Sequence, residues 1–343
     1  MLRPRIIQHI TKGEPGIVNI IAPAGFGKTI LLAQLAEAFN QPAVWYQLDE
    51  YDNDPAVFWR YLVAGCKKLY PTFGKEILFF IDHNQAGLNR GRTVLSMLIR
   101  EFDKYPEGVT LAFDDCHVLS QPEVKSFIED FLRHLPPRVK VLLAGRTDVF
   151  QLNRLLAEGR IQKIDAEDLY FTHEDIAGYY AKNSIALTKQ ELDKIEKTTE
   201  GWPLAVSFAL NSPSWGKSGV AKLNKESLFD YMASEILAGE EAGTRRFLTA
   251  ISVLEEITPE YCDLLLERSD SRKHLALLQR EYFFLIPLVG KDDVYRYHQL
   301  FRDFLLERLG DERPELLEKA VATALNKGEP ERAVEYFLAG GIP

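Results

Sequence analysis

Residues 17–32 read IVNIIAPAGFGKTILL. A short apolar run, Ile17–Ile21, leads into a loop of small residues and then into a stretch of helical character. That order matches a phosphate-binding loop between a strand and a helix, whose pattern is G-x-x-x-x-G-K-[ST]. One position departs from it, because Ala22 stands where the pattern has its first glycine. Lys28 would bring charge to the β- and γ-phosphates, and Thr29 a hydroxyl for Mg²⁺. Gly25 and Gly27 let the backbone approach an anion and turn its N–H groups inward, and the following helix adds its N-terminal dipole. The expected nucleotide-binding set in the loop is Ala24, Gly25, Gly27, Lys28 and Thr29. Ala22 sits at the loop's entry, away from the oxygens, where a small residue suffices.

Working outward, Ala43–Leu48, Val109–Phe113 and Val139–Ala144 are further short apolar runs that end in polar or turn residues. They read as buried strands. Between them lie helical patterns such as DNDPAVFWRYLVAGCKKLY, 52–70. There Asp52 to Asp54 offer caps, Pro55 suits the first turn, and Phe58, Leu62, Cys66 and Leu69 repeat along one face. Strand–helix alternation predicts an α/β domain, a parallel sheet with helices on both faces.

The second half of a nucleotide site should be an acid at a strand end. VTLAFDDCH delivers Asp114 and Asp115 there. Asp114 would hold Mg²⁺, and Asp115 would orient or deprotonate the attacking water. VKVLLAGRTD brings Arg146 to the same edge, because ligands of parallel sheets sit beyond the carboxyl ends of the strands. A cation there can read the γ-phosphate; the alternative is a surface pair with Asp148 or another acid.

After about residue 160 the pattern turns helical, opening on a capping-box-like Thr172-x-x-Asp175. NSPSWGKSG, 211–219, has linker composition. YFFLIPLVGKDDVYRYHQLF, 282–301, reads as two short strands around a GKDD turn followed by a helix, the wing of a winged-helix domain. The tail RPELLEKAVATALNKGEPERAVEYFLAGGIP resembles one helical-repeat unit. A single unit cannot bury its own face, so the array is expected to continue beyond it. The expected order is a P-loop domain at 1–160, a helical domain at 161–220, a winged-helix domain at 221–310 and a helical arm at 311–343.

Composition narrows the function classes. At 343 residues two or three domains are expected, and 46% hydrophobic with 27% charged residues fits a globular protein. With 41 Lys+Arg against 50 Asp+Glu the net charge is −9, which argues against a broad nucleic-acid footprint. The stretch YCDLLLERSDSRKHLALL, 261–278, is mixed in charge and makes no basic recognition helix, so no DNA contact is assigned to it. Three distant cysteines, Cys66, Cys116 and Cys262, read as reduced thiols in a cytoplasmic protein. No apolar run reaches the roughly 18–20 residues of a membrane helix, so no membrane role is expected.

Taken in order, APAGFGKT, LDEYDNDPAVFWRYL, LAFDDCH, LLAGRTD, EGWPLAV and YRYHQLFRDFLLERL resemble the MalT-type regulators. These are large ATP-dependent LuxR-like proteins of the STAND class of signal-transduction ATPases. The resemblance covers nearly the whole chain, and within that family a small non-glycine residue such as Ala22 is tolerated at this position. It implies ATP/ADP with Mg²⁺ as cofactors and a switch. ADP locks a closed monomer, an inducer on a C-terminal sensor permits exchange for ATP, the ATP form self-assembles, and slow hydrolysis resets it. DNA contact would belong to an output domain outside this chain. Two later residues enter on the resemblance: Pro203, of a Gly-x-Pro motif packing near adenine, and His298, contacting the ADP β-phosphate. From the residues alone, Pro203 reads equally as a helix start and His298 as a satisfied buried histidine. The LDEYDNDP segment carries no assigned role, although Asp49 ends a strand beside the expected site. Two competing functions are a P-loop ATPase or kinase acting on a small substrate, and a nucleic-acid-remodelling ATPase with a winged helix. Neither a substrate lid nor a basic stripe stands out to favour them.

Overall fold

The structure is a computed structural model that describes residues 3–13, 15–83, 90–210, 225–238, 240–281, 284–288 and 290–340. The linker expected at 211–219 lies outside the described residues. The chain divides into two compact units, Met1–Tyr170 and Phe171–Pro343.

The first unit is built on five parallel strands in the order β2-β3-β4-β1-β5. These are β1 Ile17–Ile21, β2 Ala43–Gln47, β3 Val109–Asp114, β4 Val139–Gly145 and β5 Ile161–Asp165. β3 is buried at every position and β4 at all but one, as a strand covered on both faces must be. β5 is the strand that apolar runs did not reveal. It is an edge strand, IQKID, with only Ile161 and Ile164 buried, so its polar positions break up the apolar signal. The sheet therefore runs past residue 160, and the first unit continues to Tyr170.

Helix Pro55–Leu69 starts as its sequence dictates. The Asp54 carboxylate accepts from the N–H groups of Ala56 and Val57 at 2.8 and 3.4 Å, and Pro55 occupies the first turn. Its buried face holds Phe58, Leu62 and Cys66, joined by Trp59 and Val63. Leu69, expected on that face, is 36% exposed, because the helix ends there and the chain turns away at Tyr70.

The second unit opens on helices His173–Lys182, Lys189–Thr199 and Pro203–Leu210. The expected box is present: Thr172 Oγ1 accepts from Asp175 N–H and the Asp175 carboxylate from Thr172 N–H. Further along, β6 Leu285–Pro287 and β7 Tyr295–Tyr297 form the anticipated antiparallel hairpin. Ile257 adds an isolated bridge to Tyr295, with bonds of 2.7 and 2.9 Å in both directions. Helix Gln299–Leu309 follows, and Phe284 stacks on Phe301 at 4.1 Å beneath the wing. Helices Arg313–Asn326 and Pro330–Gly340 close the described chain as a hairpin, burying Ala320, Ala324 and Ala333. Among the described residues no helix is long and apolar enough to cross a membrane.

Candidate functional site

Parallel pairing puts the carboxyl ends of β1, β3 and β4 on one edge of the sheet. β4 lies between the other two, with Ile21 opposite Gly145 and Phe113 opposite Leu143. The loop after β1, the acids after β3 and Arg146 after β4 are therefore neighbours, although more than a hundred residues of chain separate the first from the last. Ala22 is buried, and its N–H donates to Gly145 O at 3.2 Å. It acts as one more strand residue, and a methyl group fits there. The loop then needs left-handed backbone twice, at Gly25 (φ 82°) and Gly27 (φ 76°), a region that side chains disfavour. Phe26 between them is fully buried and meets Tyr170 edge-on at 5.2 Å, which anchors the loop. Gly27 caps helix Lys28–Ala38, so the helix N-terminus opens directly onto the loop.

Lys28 is 8% exposed, and its Nζ donates to Pro23 O at 2.9 Å across the loop. Burial, and next the nearby Arg146 charge, pull its ammonium down to about 8, against the opposing pull of Asp115 and Asp114. Asp114 is fully buried. It accepts from its neighbour's backbone, Asp115 N–H to Oδ1 at 2.9 Å, and the nearby Thr29 hydroxyl favours its charged form. Its other oxygen, Oδ2, is buried without a hydrogen-bond partner. Burial outweighs those bonds and raises the Asp114 carboxyl above its usual range. An orphaned buried carboxylate oxygen facing a phosphate loop fits Mg²⁺, which keeps most of its water and needs one or two protein oxygens. Thr29 and Asp114 are the residues that would hold it.

Asp115 stands in left-handed backbone, φ 56° and ψ 36°, and is half-buried. Its carboxylate accepts from Gln47 Nε2, and its Oδ1 lies 3.8 Å from His117 Nδ1. Arg146 is exposed at the edge. Added to burial, its charge depresses both Lys28 and His117, and Asp148 pairs with Lys163 at 3.6 Å. Lys28, Asp114, Asp115 and Arg146 thus form one electrostatic cluster. Gln47 and His117 join it without having been expected. His117 closes the quoted VTLAFDDCH, two residues after Asp115, and was open to notice; Gln47 lies 68 residues from its partner and gave no signal.

The LDEYDNDP segment resolves into local work. The Asp49 carboxylate accepts from Tyr51 N–H at 2.8 Å and Asp52 returns to Asp49 N–H at 2.8 Å, a capping box on the turn Glu50–Asn53. Asp52 also takes the Tyr46 hydroxyl. Asn53 reaches across to the loop after the acids. Its amide donates to Val118 O at 3.0 Å, and its oxygen accepts from the N–H groups of Ser120 and Gln121 at 2.7 and 3.0 Å.

Pro203 and His298 lie in the second unit. Pro203 is buried at the start of helix Pro203–Leu210, next to the fully buried Trp202. His298 is fully buried, 6.0 Å from the Trp202 ring, and both its nitrogens are engaged within that unit. Nδ1 accepts from Leu300 N–H at 3.3 Å, capping helix Gln299–Leu309, which leaves Nε2–H to donate to Thr199 O at 3.1 Å. Beside it, Arg296 and Gln299 N–H both bind the Glu200 carboxylate, at 2.7 and 2.9 Å.

Helices capped by a short hairpin, with a histidine opening the helix that follows, raise the question of which winged helix this is. A family model for the MalT winged helix domain matches residues 233–317. Residues 233–317 are thus similar to a MalT-type winged helix. The MalT-like chain is also similar along nearly its whole length to HTH-type transcriptional regulators MalT. Identity is 28% to that of Yersinia enterocolitica, covering 99% of this chain and 39% of the relative. To that of Klebsiella pneumoniae it is 26%, covering 95% and 37%. The chain thus spans about two fifths of the length of these relatives. A Walker-type ATPase of Pyrococcus abyssi shares the fold at a TM-score of 0.57 and 12% identity, over 89% of this chain and 96% of that one. A STAND protein with a tetratricopeptide repeat sensor from Pyrococcus horikoshii superposes more loosely, at a TM-score of 0.46 with 19% identity, over 100% of this chain and 48% of that one.

Proposed function

We propose that this MalT-like chain is the nucleotide-controlled switch of a transcriptional regulator, holding ADP at rest and hydrolysing ATP slowly to return to rest. The observation that carries the reading is the cluster at the sheet edge. Lys28, Thr29, Asp114 and Asp115 meet at the mouth of a phosphate-type loop, with one buried Asp114 oxygen left for a metal-bound ligand. The loop N–H groups and the helix N-terminus would hold the phosphates, with Lys28 adding its charge. Mg²⁺ arriving with the nucleotide would neutralise phosphate charge, held by Thr29 and Asp114. Asp115 would orient the attacking water and take its proton, while Arg146 meets the γ-phosphate.

Pro203 and His298 keep, within this proposal, the nucleotide contacts that the family resemblance implies. His298 would then have to give up one of the two bonds its ring makes inside its own unit. An inducer-binding sensor, self-association in the ATP form and DNA contact through an output domain complete the proposal, and they involve segments or copies beyond this chain. The test is to denature the purified protein and identify the released nucleotide, then follow turnover. Retained ADP and slow hydrolysis by a monomer are expected. Rapid turnover without an activator, or dependence of turnover on a small acceptor or on nucleic acid, would overturn the switch.

A further inference from the structure

We propose that Gln47 is a positioning residue for Asp115: its side-chain amide fixes which carboxylate oxygen is offered to the attacking water. The inference rests on the reading of Asp115 as the water-orienting acid.

Asp115 needs such a hold. Its left-handed backbone, φ 56°, is uncommon for a residue with a side chain and persists where surroundings over-determine it. That conformation lets Asp115 N–H turn back to Asp114 Oδ1 at 2.9 Å, so the two adjacent carboxylates serve different partners. The Asp115 side chain is thereby freed from its own strand and must be oriented from elsewhere.

Gln47 supplies that orientation. It is the last residue of the edge strand β2 and sits opposite Asp114 in the parallel register. Leu48 N–H donates to Asp114 O at 3.1 Å, so the ends of the two strands are joined immediately beyond Gln47. Its Nε2 donates to Asp115 Oδ2. A carboxylate only accepts, which fixes the amide with its NH₂ toward Asp115. With Oδ2 occupied, Oδ1 is left on the side of His117, 3.8 Å from Nδ1, as the oxygen able to take a proton.

The strand end is itself pinned. Six residues on, Asn53 ties the segment after β2 to Val118, Ser120 and Gln121, the segment after Asp115. Both sides of the Gln47–Asp115 bond are thus held by backbone contacts independent of the bond. Gln47 is exposed and has no part in the core, so its replacement leaves packing intact.

The experiment uses the whole chain, loaded with ATP and Mg²⁺ and followed through a single turnover, with ADP affinity and melting temperature measured in parallel. Asp115→Asn should abolish hydrolysis and retain ADP. Gln47→Met, similar in length but without a donor, should slow hydrolysis about 10- to 100-fold, the range of one hydrogen bond to a charged group. Its ADP affinity and melting temperature should stay those of the wild type. Gln47→Glu sets a second carboxylate against Asp115 and should be slower still. If Gln47→Met turns over at the wild-type rate or faster while Asp115→Asn is dead, the positioning role is overturned. It is equally overturned if Gln47→Met loses ADP affinity in step with rate, since the residue would then support the loop and not the base. Hydrolysis surviving in Asp115→Asn would instead overturn the reading of Asp115 on which this one rests.

Discussion

Replacing Lys28 with methionine should make the nucleotide-free protein more stable. Under the proposed function the lysine is held for a ligand, and without one its charge is a burden: it is 8% exposed, and its ammonium is depressed from 10.5 to about 8. At about 1.36 kcal/mol per pKa unit this is roughly 3 kcal/mol of unfavourable burial at neutral pH. Methionine keeps most of the apolar stem but gives up the bond from Nζ to Pro23 O, worth about 1–2 kcal/mol for a charged donor. The net gain is then about 1–2 kcal/mol, a rise of roughly 2–8 °C in melting temperature for a unit of this size. The pH dependence fixes the sign independently. Between pH 8 and 10.5 the unfolded chain keeps a proton on Lys28 that the folded chain releases. Wild-type stability therefore rises through that window, and the variant's advantage fades by its upper end. Thermal melts of nucleotide-stripped protein at pH 7 and pH 10 measure both. Added ADP and Mg²⁺ should raise the wild-type melting temperature and leave the variant's unmoved, reversing the order. A stripped variant melting at or below the wild type at pH 7 would refute the argument from buried charge.

Three further outcomes are expected. Asp114→Asn should stabilise the nucleotide-free protein slightly at neutral pH, because burial raises the Asp114 carboxyl and the charged form is the disfavoured one; Mg²⁺-dependent hydrolysis should be lost, read as phosphate release. Asn53→Ala removes four bonds to the segment after Asp115 and should cost about 1–3 kcal/mol in denaturant melts. His298 is held neutral, since burial lowers its pKa against a smaller opposing pull from Glu200 and the Thr199 carbonyl, with Arg296 pushing the same way as burial. The unfolded histidine binds protons below about 6.5 that the folded one refuses, so stability should fall as pH drops through that value; His298→Gln should flatten that slope in melts between pH 5 and 7.

Much of the fold was legible because it follows from local periodicity. Buried strands such as Leu111–Phe113 and Val141–Ala144 are continuous apolar runs, and the wing betrays itself by two short strands about a turn. β5 was not legible, because an edge strand has one covered side and IQKID shows two apolar positions in five. Leu69 was misplaced for a related reason: periodicity continues to the end of a helix, but burial stops where the neighbouring surface does.

The sequence by itself determined which groups the site can offer. Two loop glycines, a lysine and a hydroxyl between strand and helix, with a pair of acids at a later strand end, are the residue types that the proposed phosphate site needs. Only the tertiary structure decided how those groups are poised. Burial lowers Lys28, and sheet order, which sets β4 between β1 and β3, brings Arg146 beside it to lower it further. Parallel register brings Gln47 to Asp115, and burial strips Asp114 Oδ2 of partners while giving both nitrogens of His298 one each. Solvation and contacts across many residues of chain fix charge state and orientation. No residue type at a given spacing encodes those alone.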